Sequence, residues 1–327
     1  MRNLLPMMFT FGALAACGTD SVLLPEAEPP ADNAADEALA IDIAAGLAQA
    51  CPMADRADEA ARLSCGEALA KLTQLRDHME EPFLWGAQSA DKPLDLYQNN
   101  VTRFNPLVWR KMYASLFMFG SDFRIEQSGT QTLLFVPYAF RNELDTGSYP
   151  YPFWHSKGKW DSYQFATELV LFIEDGKLLG AMRGAKQDTS RPFTGHTFDG
   201  NWSWMTPEGV PAPSSSVLYS KLLSPENAMV APLNSAFRAL EEKARRQNCN
   251  GCHSPDNAAK ASQLVLLNYP NQAIYARNAI VAELEQNTMP AAGGIPDLEA
   301  RMELLTLARN FQAAAEQALR LEGERVR

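Results

Sequence analysis

Residues 249–253 read Cys249-Asn250-Gly251-Cys252-His253. Two thiols stand three positions apart, and an imidazole follows the second at once. On a helical turn, residues three apart share a face, so both sulfurs can reach one flat partner. C-x-x-C-H is the attachment pattern of c-type haem. Each thiol can form a thioether to one of the two porphyrin vinyl groups, and the adjacent histidine can then aim a ring nitrogen at iron. With 5 cysteines and 4 histidines in 327 residues, chance supplies such a match about once in a thousand chains of this composition. A zinc site needs two further ligands at matching spacing, and the chain has no second C-x-x-C. A thioredoxin-type redox pair needs a βαβ setting, whereas the flanks here have helical periodicity. The expected cofactor is therefore one covalent haem c on Cys249 and Cys252, with His253 as an iron ligand.

The second iron ligand is sought downstream. Asn287-Thr288-Met289-Pro290 is followed by Ala291-Ala292-Gly293-Gly294. A residue before proline is pushed out of helical geometry, which puts Met289 in a loop. From there its thioether can reach the far face of a haem. Met302, on the last helical stretch, reads as a core filler, the usual use of methionine. A five-coordinate haem or a bis-histidine haem remains the alternative, with His78, His155 and His196 as the other donors.

With these residues in place, residues 226–327 resemble a small class I cytochrome c domain. The family pattern is a helix, the C-x-x-C-H motif, a loop with short helices, a Met-Pro loop and a final helix packed across the first. The resemblance implies attachment at Cys249 and Cys252, proximal ligation by His253 and distal ligation by Met289. It also implies a proline carbonyl that orients the proximal imidazole, for which Pro255 is the candidate, although Ser254-Pro255 stands closer to the histidine than is usual. Phe237 and Leu240 on the first helix would meet Leu298, Met302, Leu305 and Phe311 on the last. His/Met ligation stabilises ferrous iron, raises the potential and fills both axial positions. The implied role is relay of single electrons.

The start of the chain looks like an address. Arg2 precedes an apolar stretch over 4–16, too short to span a bilayer as a permanent helix. It ends Leu14-Ala15-Ala16-Cys17, which resembles the lipobox of bacterial lipoproteins; the alternative is an ordinary secreted protein with an incidental cysteine. Cys17 is then the lipidated residue, and acyl chains contribute about 0.8 kcal/mol per buried methylene. The resemblance to Gram-negative lipoproteins implies the outer membrane, because Gly18, not Asp, follows the cysteine. Residues 1–17 are read as signal peptide and 18–34, GTDSVLLPEAEPPADNA, as a disordered tether. The expected location is the periplasmic side of a bacterial envelope membrane.

The remainder reads as multidomain: a helical segment over 35–90, an α+β domain with an antiparallel sheet over 91–224, and an all-α cytochrome c-like domain over 225–327. Pro52 breaks the first segment between Cys51 and Cys65, and an oxidising compartment makes a Cys51–Cys65 disulfide plausible. Asn105-Pro106 signals a helix start and Gly120 a stop. Strands are expected over 132–140, 168–173 and 178–183, the last two joined at Asp175-Gly176, with another possible over 195–204. Residues 149–160, YPYPFWHSKGKW, pack five aromatics and His155 together. They suit either a binding rim or a loop closing the sheet edge. His196 reads as a turn or strand residue and His78 as a helix-end cation.

Net charge of −10 leaves no bulk attraction for nucleic acid, and 46% apolar residues indicate a folded chain. The acid is concentrated before residue 226, and the C-terminal stretch is nearly neutral. Nucleotide-binding glycine loops and G-x-S-x-G elbows are absent from the sequence. The leading reading is a lipid-anchored electron carrier whose partners are periplasmic or membrane redox proteins. The alternatives are a haem enzyme or ligand sensor with its pocket in the middle domain, and an envelope lipoprotein whose haem only sustains folding.

Overall fold

The structure, a computed structural model, describes residues 33–88, 94–97, 101–141, 163–185, 219–253, 266–267, 270–291 and 293–326. The signal stretch, Cys17, the tether up to residue 32, the aromatic stretch 149–160 with His155, the 195–204 strand with His196, and Pro255 lie outside them; the last tether position, Ala34, is already helical.

Helix α1 (Ala34–Ala50) buries Leu39, Ala40, Ile43, Ala44 and Leu47, a stripe at helical spacing. A disulfide joins Cys51, just past its end, to Cys65 on α2 (Glu59–Lys71), with Cα atoms 4.9 Å apart. Asp58 caps α2 by accepting from the Ala61 amide. A short turn, α3 (Thr73–Arg76), leads into strand β1 (Met79–Ala87). The helical expectation for 35–90 therefore fails at its end. Glu80, Glu81 and Pro82 disguised the strand, and Pro82 sits where its register shifts, a position where a sheet tolerates proline.

After β2 (Thr102–Phe104), Asn105 accepts from the amides of Leu107 and Val108 and opens α4 (Pro106–Val108). The expected helix to Gly120 is not kept. It widens into a π turn over Trp109–Tyr113, tightens into a 3-10 turn over Ala114–Leu116, and gives way to β3 (Phe117–Phe119). β3 pairs with Phe140, Ala139 and Tyr138 on β5, so aromatic residues with high strand preference take the last turn out of the helix. β4 (Arg124–Ser128) and β5 (Gln131–Phe140) follow, then β6 (Glu168–Glu174) and β7 (Lys177–Arg183). Asp175 and Gly176, at φ 53° and 71°, form the β6–β7 turn, the backbone that Asp-Gly favours.

The sheet order is β2-β1-β7-β6-β5-β3, with β4 also on β5. β1 runs parallel to β7 and the other pairings are antiparallel, so the sheet is mixed and the antiparallel expectation is corrected. Both faces are apolar. Leu134, Val136, Leu169, Leu171 and Ile173 join the main core, while Leu133, Phe135, Val170 and Phe172 pack with Leu96 on the other side. Such burial contributes about 1.5–3 kcal/mol per large side chain.

Among the described residues, four helices close the chain: α5 (Val230–Arg246), the short α6 (Asn250–His253), α7 (Pro270–Gln286) and α8 (Leu298–Leu321). They do not form a separate all-α domain, which overturns the multidomain reading. The chain from Asn33 to Arg327 is one compact α/β unit. Leu233, Phe237, Ile274, Phe311 and Leu319 belong to the same buried cluster as the sheet. The physical reason lies in the polar links as well. Arg277 on α7 grips Glu81 on β1, Arg110 pairs with Glu324 beyond α8 with both side chains buried, and the Tyr219 hydroxyl donates to the Pro270 carbonyl at 3.1 Å. An apolar helix stripe needs a cover: α5 and α7 pack on α8, and the buried cluster they form runs on without a break into the sheet body.

Candidate haem-attachment site

The C-x-x-C-H residues sit on a helix end. After Arg246, Asn248 takes a left-handed conformation at φ 61°, which asparagine tolerates better than most residues. Its amide donates to the Arg245 carbonyl and the Cys249 amide to the Ala244 carbonyl, each at 3.0 Å. This is the reversal that commonly ends a helix. The chain then starts a new turn: the amides of Cys252 and His253 both donate to the Cys249 carbonyl, at 3.2 and 2.9 Å. Cys249 and Cys252 thus stand one turn apart, with His253 following.

Both cysteines are free thiols and half-buried. Cys249 packs against the main core, and burial pushes its thiol pKa up. Between them, a Cβ added to Gly251 would meet none of the described residues within 4 Å. The Leu267 amide donates to the His253 carbonyl at 3.4 Å and ties down the exit. Two free thiols on one turn with an adjoining imidazole are the donor set that a covalently held porphyrin needs.

Met289 stands on the loop after α7. Asn287 is left-handed at φ 55°, and the Thr288 amide donates to Glu283 at 3.1 Å, the same kind of helix ending. The amides of Gly293 and Gly294 donate to the Pro290 carbonyl at 3.1 and 2.8 Å. The Ile295 amide donates to Asn287 Oδ1 at 2.8 Å, and Asn287 Nδ2 donates to the Ile295 carbonyl at 3.5 Å. Ile295 is buried, whereas Met289 is 42% exposed.

The two loops share one end of the helical layer. Phe237 of α5 touches Phe311 of α8 at 5.9 Å, and Lys243 pairs with Glu303. The α5 numbers rise as the α8 numbers fall, so these helices are antiparallel. On α7, Asn278 accepts from Gln312 at 2.8 Å and Glu285 pairs with Arg309 at 2.7 Å, the same sense. Both α5 and α7 therefore deliver their C-termini, and with them the cysteine motif and Met289, to the N-terminal end of α8. Asp297 caps that end by accepting from the amides of Glu299 and Ala300.

Other sequence expectations fall elsewhere. Met302 is 45% exposed, not a core filler, because it lies on the side of α8 away from Leu304, Ala308 and Phe311. His78 Nδ1 is 2.7 Å from the Gly176 carbonyl and so braces the β6–β7 turn. A cleft lined by Arg76, Met79, Glu81, Pro106, Glu324 and Arg325 offers little chemistry, since its two carboxylates are committed to Arg277 and Arg110. Among the described residues, no group of three or more His, Cys, Asp and Glu side chains is arranged to hold a metal ion, and no helix is long and apolar enough to cross a membrane. Sequence reasoning passed over Asn287; its left-handed place after a helix, eight residues before a buried isoleucine, is the available signal.

No protein family, curated protein or solved structure matches this chain.

Proposed function

We propose that the protein is a lipid-anchored, periplasmic mono-haem c-type cytochrome that relays single electrons between periplasmic or membrane redox proteins. The observation that carries this reading is the pair of free, half-buried thiols one turn apart, followed by His253. Cys249 and Cys252 would hold the porphyrin through thioethers, His253 would ligate iron from one side and Met289 from the other. A haem bound in this way supplies reversible one-electron chemistry with both axial positions filled.

The chain's own part is positioning. The reversal at Asn248 turns both thiols onto one short helix, and the antiparallel helices bring the Met289 loop to the same end. The lipobox-like Cys17 supports anchorage, with the outer membrane favoured by Gly18. The resemblance of the 226–327 motifs to class I cytochromes c supports the relay role.

The test is a carbon monoxide titration of the purified, reduced protein. The expected spectrum is low-spin and indifferent to carbon monoxide, and Met289→Ala converts it to a form that binds the gas. A native protein that is high-spin and binds carbon monoxide readily would instead favour a haem enzyme or ligand sensor.

A further inference from the structure

We infer that Asn287 and Gly294 form a clasp that holds Met289 in place as an iron ligand, making them positioning residues for the haem. The inference rests on the reading that Met289 is such a ligand. Methionine is a flexible side chain; Met289, exposed like Met53 and Met302, differs from them in standing on a loop whose two ends are fixed to each other. Three features fix them. The helix ending at Asn287 and Thr288 anchors the entry. Ile295, buried in the main core, anchors the exit. The Asn287 side chain joins the two by accepting from the Ile295 amide at 2.8 Å and donating to its carbonyl at 3.5 Å.

Gly294 makes the closure possible. A Cβ there would lie 2.4 Å from the Asn287 carbonyl oxygen and 2.5 Å from Asn287 Cγ and Nδ2. Its φ of 75° also suits glycine. Any side chain at 294 would therefore push Asn287 away and open the loop. Within the closed ring, Pro290 accepts from both Gly293 and Gly294, so the residue next to Met289 is pinned as well. Thioether ligation of iron is weak enough that holding the sulfur in position decides whether it stays bound, and the clasp supplies that constraint.

The experiment uses the full haem-loaded chain and compares Asn287→Ala, Asn287→Gly, Asn287→Asp and Gly294→Ala. Readouts are the weak near-infrared absorption that marks thioether-ligated ferric haem and carbon monoxide binding by the reduced form. Asn287→Gly keeps the freedom to adopt positive φ but loses the side chain, whereas Asn287→Asp keeps the acceptor for the Ile295 amide. The expected result is loss of the band and gain of carbon monoxide binding in the Ala, Gly and Gly294→Ala variants, with retention in Asn287→Asp. Asn278→Ala, which removes only an exposed bond to Gln312, leaves the band unchanged, and covalent haem content stays the same throughout. If Met289→Ala abolishes the band while Asn287→Ala and Gly294→Ala keep it, the clasp is wrong and the ligand assignment stands. If Met289→Ala changes nothing, the ligand assignment itself is wrong.

Discussion

Arg277 on α7 and Glu81 on β1 form a two-pronged ion pair at 2.8 and 3.1 Å across 196 residues of sequence. The Arg277 side chain is 1% exposed, and Asn105 donates a further bond to Glu81 at 3.0 Å. The helix that leads to Met289 is thereby riveted to the sheet. Removing one partner of a buried pair leaves the other charge uncompensated, at a cost of about 3–5 kcal/mol. Glu81→Ala is expected to destabilise by that amount in urea unfolding, and Glu81→Leu combined with Arg277→Met to recover most of it. A loss under 1 kcal/mol in the single variant would mean the pair does not hold α7.

The Cys51–Cys65 bridge closes a short loop between α1 and α2, at a sequence separation of 14. Chain-entropy arguments give about 3 kcal/mol for a loop of that size. Replacing both cysteines with alanine should lower stability by about that much while leaving haem content unchanged, since the proposed attachment uses Cys249 and Cys252. Paired denaturation curves and haem-to-protein ratios check both halves of the statement.

Tyr163 gives a pH dependence with a defined sign. Burial pushes its hydroxyl up to about 12 from the ordinary 10, against the bond donated by Trp85 Nε1 at 2.9 Å. A folded-state pKa above the unfolded one contributes stability that is intact below pH 10 and lost as pH rises toward 12. Two pH units correspond to about 3 kcal/mol. Relative to Tyr163→Phe, the wild-type chain should lose about that much across this window, measured by urea unfolding at a series of alkaline pH values. Parallel curves for the two proteins would show that Tyr163 ionises freely in the folded state.

Met289→His tests the proposed thioether ligand. Imidazole in place of the sulfur keeps the haem low-spin but favours ferric iron, so the reduction potential should fall within the ~0.8 V range that axial ligands command. Potentiometric titration reads it directly. An unchanged potential would remove Met289 from the coordination sphere.

Much of the local chain was legible. The β6–β7 turn followed from Asp175-Gly176, the β5 and β6 strands from their continuous apolar runs, and the α4 cap from Asn105-Pro106. The C-x-x-C-H motif was readable because its residues are consecutive, and the structure places its thiols free on one turn. What escaped was long-range. β1 was hidden because Glu81 looks like a surface residue until Arg277 neutralises it from the far side of the chain. The helix expected to reach Gly120 was cut short by Phe117–Phe119, which gain more from pairing with β5 than from another helical turn. The separate C-terminal domain was misjudged because an amphipathic stripe states that a cover exists but not which element provides it. Asn287 was missed because its partner, the Ile295 backbone, carries no side-chain signature.

The most direct measurement is the intact mass and visible spectrum of the mature protein, produced by export in cells able to attach haem c. The expected result is a red protein heavier by one haem, whose adduct is lost when Cys249 and Cys252 are both replaced by serine. A colourless protein with the mass of its polypeptide and lipid alone would contradict the account.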